Sequence, residues 1–272
     1  MVRPPAVAGA FYPSEPDEIA RQVDEFSSLG DSKETAIACV VPHAGYMYSG
    51  HVAGAVYGAI TIPQRCILIG PRHYPQGQSM AILAEGSWET PLGQVEIDAE
   101  IARSLMHACP RLRDDAVAHT REHSLEVQLP FLQKLATDRA SFRFVPVVLA
   151  SDRYPALEEL GQAVAKTIKG AAETGPVLLI ASTDMNHYES DSTTRVKDRR
   201  AIEQILALDA RGLYDTVRNE GITMCGYAAT VAAIVAATAL GATKARLIRY
   251  ATSGDINGDL TRVVGYAGVT IQ

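Results

Sequence analysis

Short apolar runs alternate along the chain with longer stretches that are amphipathic at helical spacing or rich in small residues. The uninterrupted runs are typical of strands buried on both faces. We predict such strands at 35–41, 65–70, 142–150, 176–182, 245–251 and 263–271. The stretches between them predict helices at 14–26, 50–60, 99–107, 122–136, 156–169 and 226–240, with two more within 193–219. This alternation predicts an α/β protein with a mostly parallel sheet covered by helices on both faces.

Three local features refine this prediction. Ser14, followed by Pro16 and with Asp17 at the capping-box spacing, predicts the start of the first helix. The segments 79–84 and 93–98 flank Trp88 and are predicted to form a strand pair. The last two predicted strands are close enough in sequence to pair antiparallel, which would make the sheet mixed.

Composition argues against several classes of function. The 272 residues include 25 lysines and arginines and 31 aspartates and glutamates, for a formal net charge of −6. The positive residues are scattered, so nucleic acid is not expected as a partner. No window approaches the roughly 18 consecutive apolar residues of a membrane span, and the first residues do not resemble a secretion signal. We therefore expect one cytoplasmic domain over 1–272, without membrane contact.

The four cysteines are far apart and show no C-x-x-C spacing, which argues against a disulfide framework and against a zinc ribbon. Cys39 and Cys66 lie in apolar runs and are expected to be buried. Cys225 lies at the start of the helix predicted at 226–240, where the helix dipole favours a thiolate that can bind a metal. The alternative for Cys225 is an inert, buried thiol, and the local sequence does not choose between the two.

Three predicted strands end in polar segments of the same kind. "PHAGY" with His43 follows the first strand, "GPRHY" with His73 follows the second, and "STDMNHY" with Asp184 and His187 follows the strand at 176–182. In an open α/β sheet, ligands bind beyond the carboxyl ends of the strands. Three histidines from separate segments at this edge predict a site assembled on a rigid scaffold.

Seven motifs, in order and over nearly the full length, resemble the Memo family, whose prokaryotic members are called AmmeMemoRadiSam system protein B. They are "RPPAVAGAFYP", "PHAGYMYSG", "GPRHY", "ETPLGQVEID", "HTREHSLEVQLPFL", "STDMNHY" and "TMCGYAA". That family is similar to the class III extradiol dioxygenases, non-haem iron enzymes of the LigB type. The resemblance implies a three-layer α/β/α sandwich with a central mixed, mostly parallel sheet.

The resemblance also implies roles for five residues. His43, His73 and Cys225 match metal-ligand positions, with Cys225 in the place of a glutamate of the dioxygenases. His187 matches the acid/base histidine, and Asp184 matches its acidic neighbour. The implied cofactor is a divalent metal, Fe(II) first, with zinc or copper as alternatives because a thiolate is a softer donor than a carboxylate. The implied function is an iron-dependent oxidoreductase whose substrate, a small molecule or a peptide, is unknown.

Two other functions are compatible with the sequence. A binding or metal-handling module could use the same cleft without turnover, and the family name links the chain to radical-SAM and AMMECR1-like partner proteins. Separately, "HTREH" fits the H-x-x-E-H pattern of inverted zinc peptidases. That pattern would place His119 and His123 one helical turn apart, with Glu122 as the catalytic base.

Two further hypotheses concern the surroundings of the cleft. In the Memo interpretation, His123 and Glu126 form a polar layer beneath the site, at helical spacing. Tyr46, Tyr48 and Tyr74 follow the strand ends closely and are candidates to line the pocket.

Overall fold

The computed structural model describes residues 1–28 and 33–272. The strands within these ranges are β1 (Val2–Arg3), β2 (Ala38–Val41), β3 (Arg65–Pro71), β4 (Met80–Ile82), β5 (Ser87–Thr90), β6 (Gly93–Ile97), β7 (Arg113–Asp114), β8 (Arg143–Leu149), β9 (Val177–Ser182), β10 (His187–Glu189), β11 (Ala245–Thr252) and β12 (Val263–Ile271). The α-helices are α1 (Pro16–Ser27), α2 (Tyr46–Ala59), α3 (Ala99–Ala108), α4 (Ala116–His119), α5 (Leu129–Leu135), α6 (Tyr154–Gly170), α7 (Asp191–Leu206), α8 (Ala210–Asn219), α9 (Tyr227–Ala239) and α10 (Gly254–Asn257). Single 3-10 turns occur at Glu126–Gln128 and Ala172–Thr174.

The strands form a mixed sheet whose centre is parallel. β6, β8, β3, β9 and β2 lie side by side in that order, and each pair is parallel. Next to β2, β12 runs antiparallel and carries β10 and β11 as further antiparallel neighbours. The predicted mixed, mostly parallel sheet and the antiparallel pairing of the last two strands are confirmed.

Helices cover the sheet in two groups. α2 packs on β2 and β12, with α1 and α5 against it, whereas α9 packs on β3 and β9, with α6 and α8 against it. Apolar side chains between these layers form a large buried core that extends from Tyr12 to Ile271 along the chain. The predicted α/β/α sandwich is confirmed. Within the described ranges, no helix combines the length and the apolar character that crossing a membrane requires.

Two of the local predictions were wrong. The residue that precedes α1 is Glu15 rather than Ser14, and no side chain caps the helix, which begins at Pro16. The segments 79–84 and 93–98 do not pair with each other. β4 pairs antiparallel with β8, and β6 forms a tight hairpin with β5, which contains Trp88.

The helix predicted at 122–136 begins only with α5 at Leu129, after a 3-10 turn. Residues 120–125 form an irregular connection instead. The cause is the side chain of Glu122, whose Oε1 accepts the backbone N–H groups of His123 and Ser124 at 2.9 and 2.8 Å. A side chain that binds nearby N–H groups in this way competes with helical hydrogen bonding. The connection lies beside the end of β3 and becomes part of the site.

Candidate metal centre

A cleft of about 770 Å³ opens beyond the carboxyl ends of β2, β3 and β9. It is lined by all five residues that the sequence predicts for the site, His43, His73, Asp184, His187 and Cys225. Aromatic side chains supply much of the remaining wall, namely Phe11, Tyr48, Tyr188 and Tyr266. The cleft therefore combines a polar set of potential ligands with apolar surface for a ligand's body.

Hydrogen bonds fix both the orientation and the tautomer of His43, which is only 2% exposed. Its Nδ1 lies 2.9 Å from Oγ of Ser182. The Ser182 hydroxyl donates its single hydrogen to the carbonyl oxygen of Ser124 at 2.6 Å, so it can only accept from His43. His43 therefore carries its proton on Nδ1 and presents an unprotonated Nε2. Burial lowers the pKa of His43 well below its usual value, which keeps the ring neutral, the form that binds metals.

Glu122 holds His73 in the same way. Its fully buried carboxylate accepts from Nδ1 of His73 at 2.8 Å and from the backbone N–H of His73 at 2.5 Å. Burial alone would raise the pKa of Glu122, but the hydrogen bonds from His73 and then the one from Ser124 help to lower it to about 2. Because an ionised carboxylate only accepts, Nδ1 of His73 carries the proton and Nε2 is available as a ligand.

His123 joins these two histidines, a placement that sequence reasoning missed. The ligand nitrogens of His43, His73 and His123 all lie within 4.8 Å of one another. The ring of His123 stacks on that of His73, with centroids 4.6 Å apart and planes 18° from parallel. The expected position beneath the site assumed a helix through this segment, which the hydrogen bonds of Glu122 prevent. The H-x-x-E-H pattern did mark His123 as a candidate ligand, but it paired His123 with His119.

His119 lies away from the cleft. It is 1% exposed, and its ring packs at a steep angle against Trp88 with centroids 5.7 Å apart. Neither ring nitrogen has a hydrogen-bond partner among the described residues. Since α4 ends at His119 while Glu122 and His123 follow in the irregular connection, the residues do not form the single helical turn that the zinc peptidase interpretation requires.

Cys225 approaches His43 from the start of α9. Its Sγ lies 3.2 Å from Nε2 of His43 and accepts the backbone N–H of Asp184 at 3.3 Å. The turn at Gly226 allows this approach, because a Cβ there would lie only 2.6 Å from Cβ of Thr183. Of the two states that the sequence left open, the protein groups alone favour the neutral thiol: burial, and then the charge of Asp184, raises the pKa of Cys225. A metal ion at the sulfur would displace the proton.

Asp184 is itself part of the scaffold around His43. Its Oδ1 accepts the backbone N–H groups of His43 at 2.8 Å and of Ala44 at 3.3 Å. Burial raises the pKa of Asp184, against the hydrogen bond from His43. Asp184 thus ties the segment after β2 to the segment after β9, and its carboxyl group borders the cleft.

His187 borders the cleft next to these residues and is held by Thr223. Its Nδ1 lies 2.9 Å from the carbonyl oxygen of Thr223, which can only accept, so Nδ1 carries the proton of the neutral ring. Its backbone N–H donates to Oγ1 of Thr223 at 2.7 Å. The group that orients the ring of His187 is therefore a backbone carbonyl and not the side chain of its neighbour Asp184. Nε2 of His187 is left as a proton acceptor.

The three tyrosines proposed for the pocket have different environments. Tyr48 lines the cleft. Tyr46 is buried, and its hydroxyl donates to the carbonyl oxygen of Val127 at 2.8 Å. The ring of Tyr74 lies under the guanidinium group of Arg121, 4.6 Å from its centroid. Of these three tyrosines, only Tyr48 is therefore positioned to contact a ligand in the cleft.

The residues fit a divalent transition metal. Imidazole nitrogens and a thiol sulfur suit iron(II), zinc or copper, and both His43 and His73 have the fixed Nδ1 proton that is usual for metal-binding histidines. Ligands that are each about 2.1 Å from one ion lie at most about 4.2 Å apart. The 4.8 Å limit on the three histidine nitrogens is close to this value, so small side-chain movements would complete a site.

Comparisons with known proteins identify the family of this chain. The sequence model of the Memo-like proteins matches residues 3–270. A MEMO1 family protein of Methanopyrus kandleri is 40% identical, over 100% of this chain and 99% of the relative. Another, of Methanothermobacter thermautotrophicus, is 41% identical over 98% of this chain and 99% of the relative. A third, of Nitrosopumilus maritimus, is 34% identical over 99% of each chain. The predicted family is thus confirmed: the chain belongs to the Memo-like proteins.

Proposed function

We propose that this protein is a metal-dependent oxidoreductase that binds Fe(II) through His43, His73 and Cys225. The observation that carries the proposal is that the ligand nitrogens of His43 and His73 lie within 4.8 Å of each other, while Sγ of Cys225 lies 3.2 Å from Nε2 of His43. Three protein ligands leave coordination positions for substrate or dioxygen, as catalytic sites do and closed structural sites do not. When bound, the iron would supply Lewis acidity and one-electron chemistry.

The chain's own groups would orient the substrate and move its proton. His187 can accept a proton at Nε2, because Thr223 holds the other nitrogen protonated. Asp184 keeps the backbone of His43 in place. Phe11 and Tyr48 offer apolar surface, so the substrate, a small molecule or a segment of peptide, would place an apolar part against this wall.

Elemental analysis of protein purified without oxygen tests the metal site. We expect about one iron per chain in the wild type and little in the His43→Ala and Cys225→Ser variants. His107→Ala is the matched control, because His107 lies in the last turn of α3 and does not line the cleft. Absence of metal from the wild type under every loading condition would overturn the proposal, and equal iron in all variants would overturn the ligand assignment.

His187→Ala separates an enzyme from a binding or metal-handling module. An oxidoreductase should keep its metal and lose turnover when His187 is removed. A module without chemistry should keep both its metal and its ligand binding. Radical-SAM and AMMECR1-like proteins are the partners we propose to test, and the family name is their only support. Binding of either partner that survives His43→Ala would favour the module.

A further inference from the structure

Arg3 is buried against the connection that carries Glu122 and His123. It is 6% exposed, and its guanidinium carbon lies 4.0 Å from the centroid of the Trp88 ring. Its Nε donates to the carbonyl oxygen of His119 at 2.7 Å and its Nη2 to that of Glu122 at 2.6 Å. Its Nη1 forms an ion pair with Glu126 at 2.7 Å. One planar group thus holds three points of the segment 119–126.

Glu126 fastens the rest of the segment 3–12 to the same place. Its fully buried carboxylate also accepts the backbone N–H groups of Ala6 and Val7 at 2.8 to 3.0 Å. The hydroxyl of Tyr12 donates to Oε1 at 2.7 Å. Glu126 is therefore more than the polar layer expected from the sequence: it joins two segments more than a hundred residues apart.

The same arrangement reaches the cleft by two routes. Arg3 holds the backbone of Glu122, whose carboxylate holds Nδ1 of His73. The segment that Glu126 fastens also contains Phe11, whose ring packs against His123 with centroids 4.7 Å apart and lines the cleft. A displacement of Arg3 would therefore reach both His73 and His123.

We propose that Arg3 is a positioning residue of the metal centre, which sets the orientation of His73 and the placement of His123 through the connection at 119–126. This inference rests on the proposed function in one respect: its affinity measurement requires that the proposed metal site exists. Its structural content, the hydrogen bond between Glu122 and His73, is independent of any metal. A lysine at this position could keep the ion pair with Glu126, but not the fork that binds two carbonyl oxygens as well.

The test compares Arg3→Lys with Arg65→Lys. Arg65 is the matched control because it is also largely buried, 12% exposed, and binds Asp98 through two nitrogens at 2.5 and 3.1 Å. It begins β3, whereas His73 follows the other end of that strand. Cobalt(II) affinity would be measured by competition with a coloured chelator, beside the cobalt absorption spectrum and the thermal midpoint of each variant. We expect a loss of affinity of about tenfold or more and an altered spectrum for Arg3→Lys alone.

A second readout needs no metal. In histidine-labelled protein, the Nδ1 proton of His73, shared with Glu122, should give a downfield NMR signal. We expect Arg3→Lys to lose this signal and Arg65→Lys to keep it. If Arg3→Lys does not fold, Glu126→Gln, which removes the charge that pairs with Arg3, replaces it in both measurements.

The outcomes separate the two proposals. If the wild type binds cobalt and Arg3→Lys matches Arg65→Lys in affinity, spectrum and NMR signal, the role of Arg3 is overturned while the metal site stands. If the wild type binds no metal, the proposed function fails, and the NMR comparison still decides whether Arg3 positions His73.

Discussion

Ser182 and His43 are joined by a hydrogen bond of 2.9 Å in which the serine can only accept, because its own hydrogen is donated to Ser124. Gln128 completes the arrangement, since its Nε2 donates to the same Oγ at 3.0 Å while its Oε1 accepts from Tyr57 at 2.8 Å. This buried chain of bonds leaves only one tautomer for His43. Buried residues of the core therefore determine that the nitrogen of His43 that faces Cys225, Nε2, is unprotonated.

Ser182→Ala should weaken metal binding by about 10- to 100-fold, because His43 loses the acceptor that fixes its tautomer. The measurement is the dissociation constant for cobalt(II) by chelator competition. Thr270→Val is the control, since Thr270 is equally buried but its hydroxyl has no partner among the described residues. Unchanged affinity in Ser182→Ala would show that the tautomer is set by something else.

The thiol of Cys225 should react slowly after metal is removed, although it borders the cleft. Burial and the charge of Asp184 raise its pKa, so little thiolate is present near neutral pH. We expect alkylation by iodoacetamide at pH 8 to be about tenfold or more slower than for a free cysteine peptide. The other three cysteines are buried and should not be labelled. Mass spectrometry of the labelled protein identifies which cysteine was modified. Rapid labelling of Cys225 would contradict the raised pKa.

His119→Phe should leave the metal content unchanged and should not lower stability. The ring of His119 is buried, and burial and the charge of Arg3 lower its pKa to about 3, so a neutral apolar ring of similar shape can replace it. Removing a buried polar group that has no partner is close to neutral or stabilising. The readouts are metal content and the urea midpoint, with His43→Ala as the contrasting variant, which should lose its metal. Loss of metal in His119→Phe would revive the peptidase interpretation.

Asp198 should make a contribution to stability that is lost as the pH rises from about 4 to 7. Burial raises its pKa from 3.8 to about 7, although Tyr250 and the backbone N–H of Asn186 donate to it at 2.7 and 2.8 Å. Below pH 4 both the folded and the unfolded states hold the proton. Between pH 4 and 7 only the folded state keeps it, so the folded state loses its advantage as pH rises, by roughly 4 kcal/mol in all.

Asp198→Asn isolates this contribution. Urea unfolding at pH 5, 6, 7 and 8, with metal removed, gives the free energy of unfolding of both proteins. The wild type should lose stability relative to the variant across this range. A difference between the two that does not change with pH would contradict the raised pKa of Asp198.

The parts of the fold that the sequence predicts correctly are those in which a segment's own pattern decides its structure. The uninterrupted apolar runs that form β3 and β9 predict strands buried on both faces without reference to other segments. The positions of His43 and His73 just after strands can likewise be read directly from the sequence. The placement of His123 depends instead on Glu122, which binds neighbouring N–H groups and ends the helical path. No periodicity in the sequence reports such a competition.

The protonation of Cys225 could not be decided from the sequence for a related reason. The start of a helix is a local feature that favours a thiolate, whereas the charge of Asp184 comes from a residue 41 positions away, and burial comes from the tertiary packing. In the same way, the contacts of Arg3 with Glu122 and Glu126 span 119 and 123 residues. Long-range side-chain contacts of this kind leave no mark in the local pattern.

The contact between His43 and Cys225 spans 182 residues, and it sets the order of events during synthesis. At about 5 to 20 residues per second, a ribosome needs roughly 9 to 36 s to make the chain between them. During that interval the emerging polypeptide offers imidazoles without the sulfur donor. The proposed ligand set therefore exists only after residue 225 has been made, and any ion that it binds would come from the metal pool that the protein meets after that point.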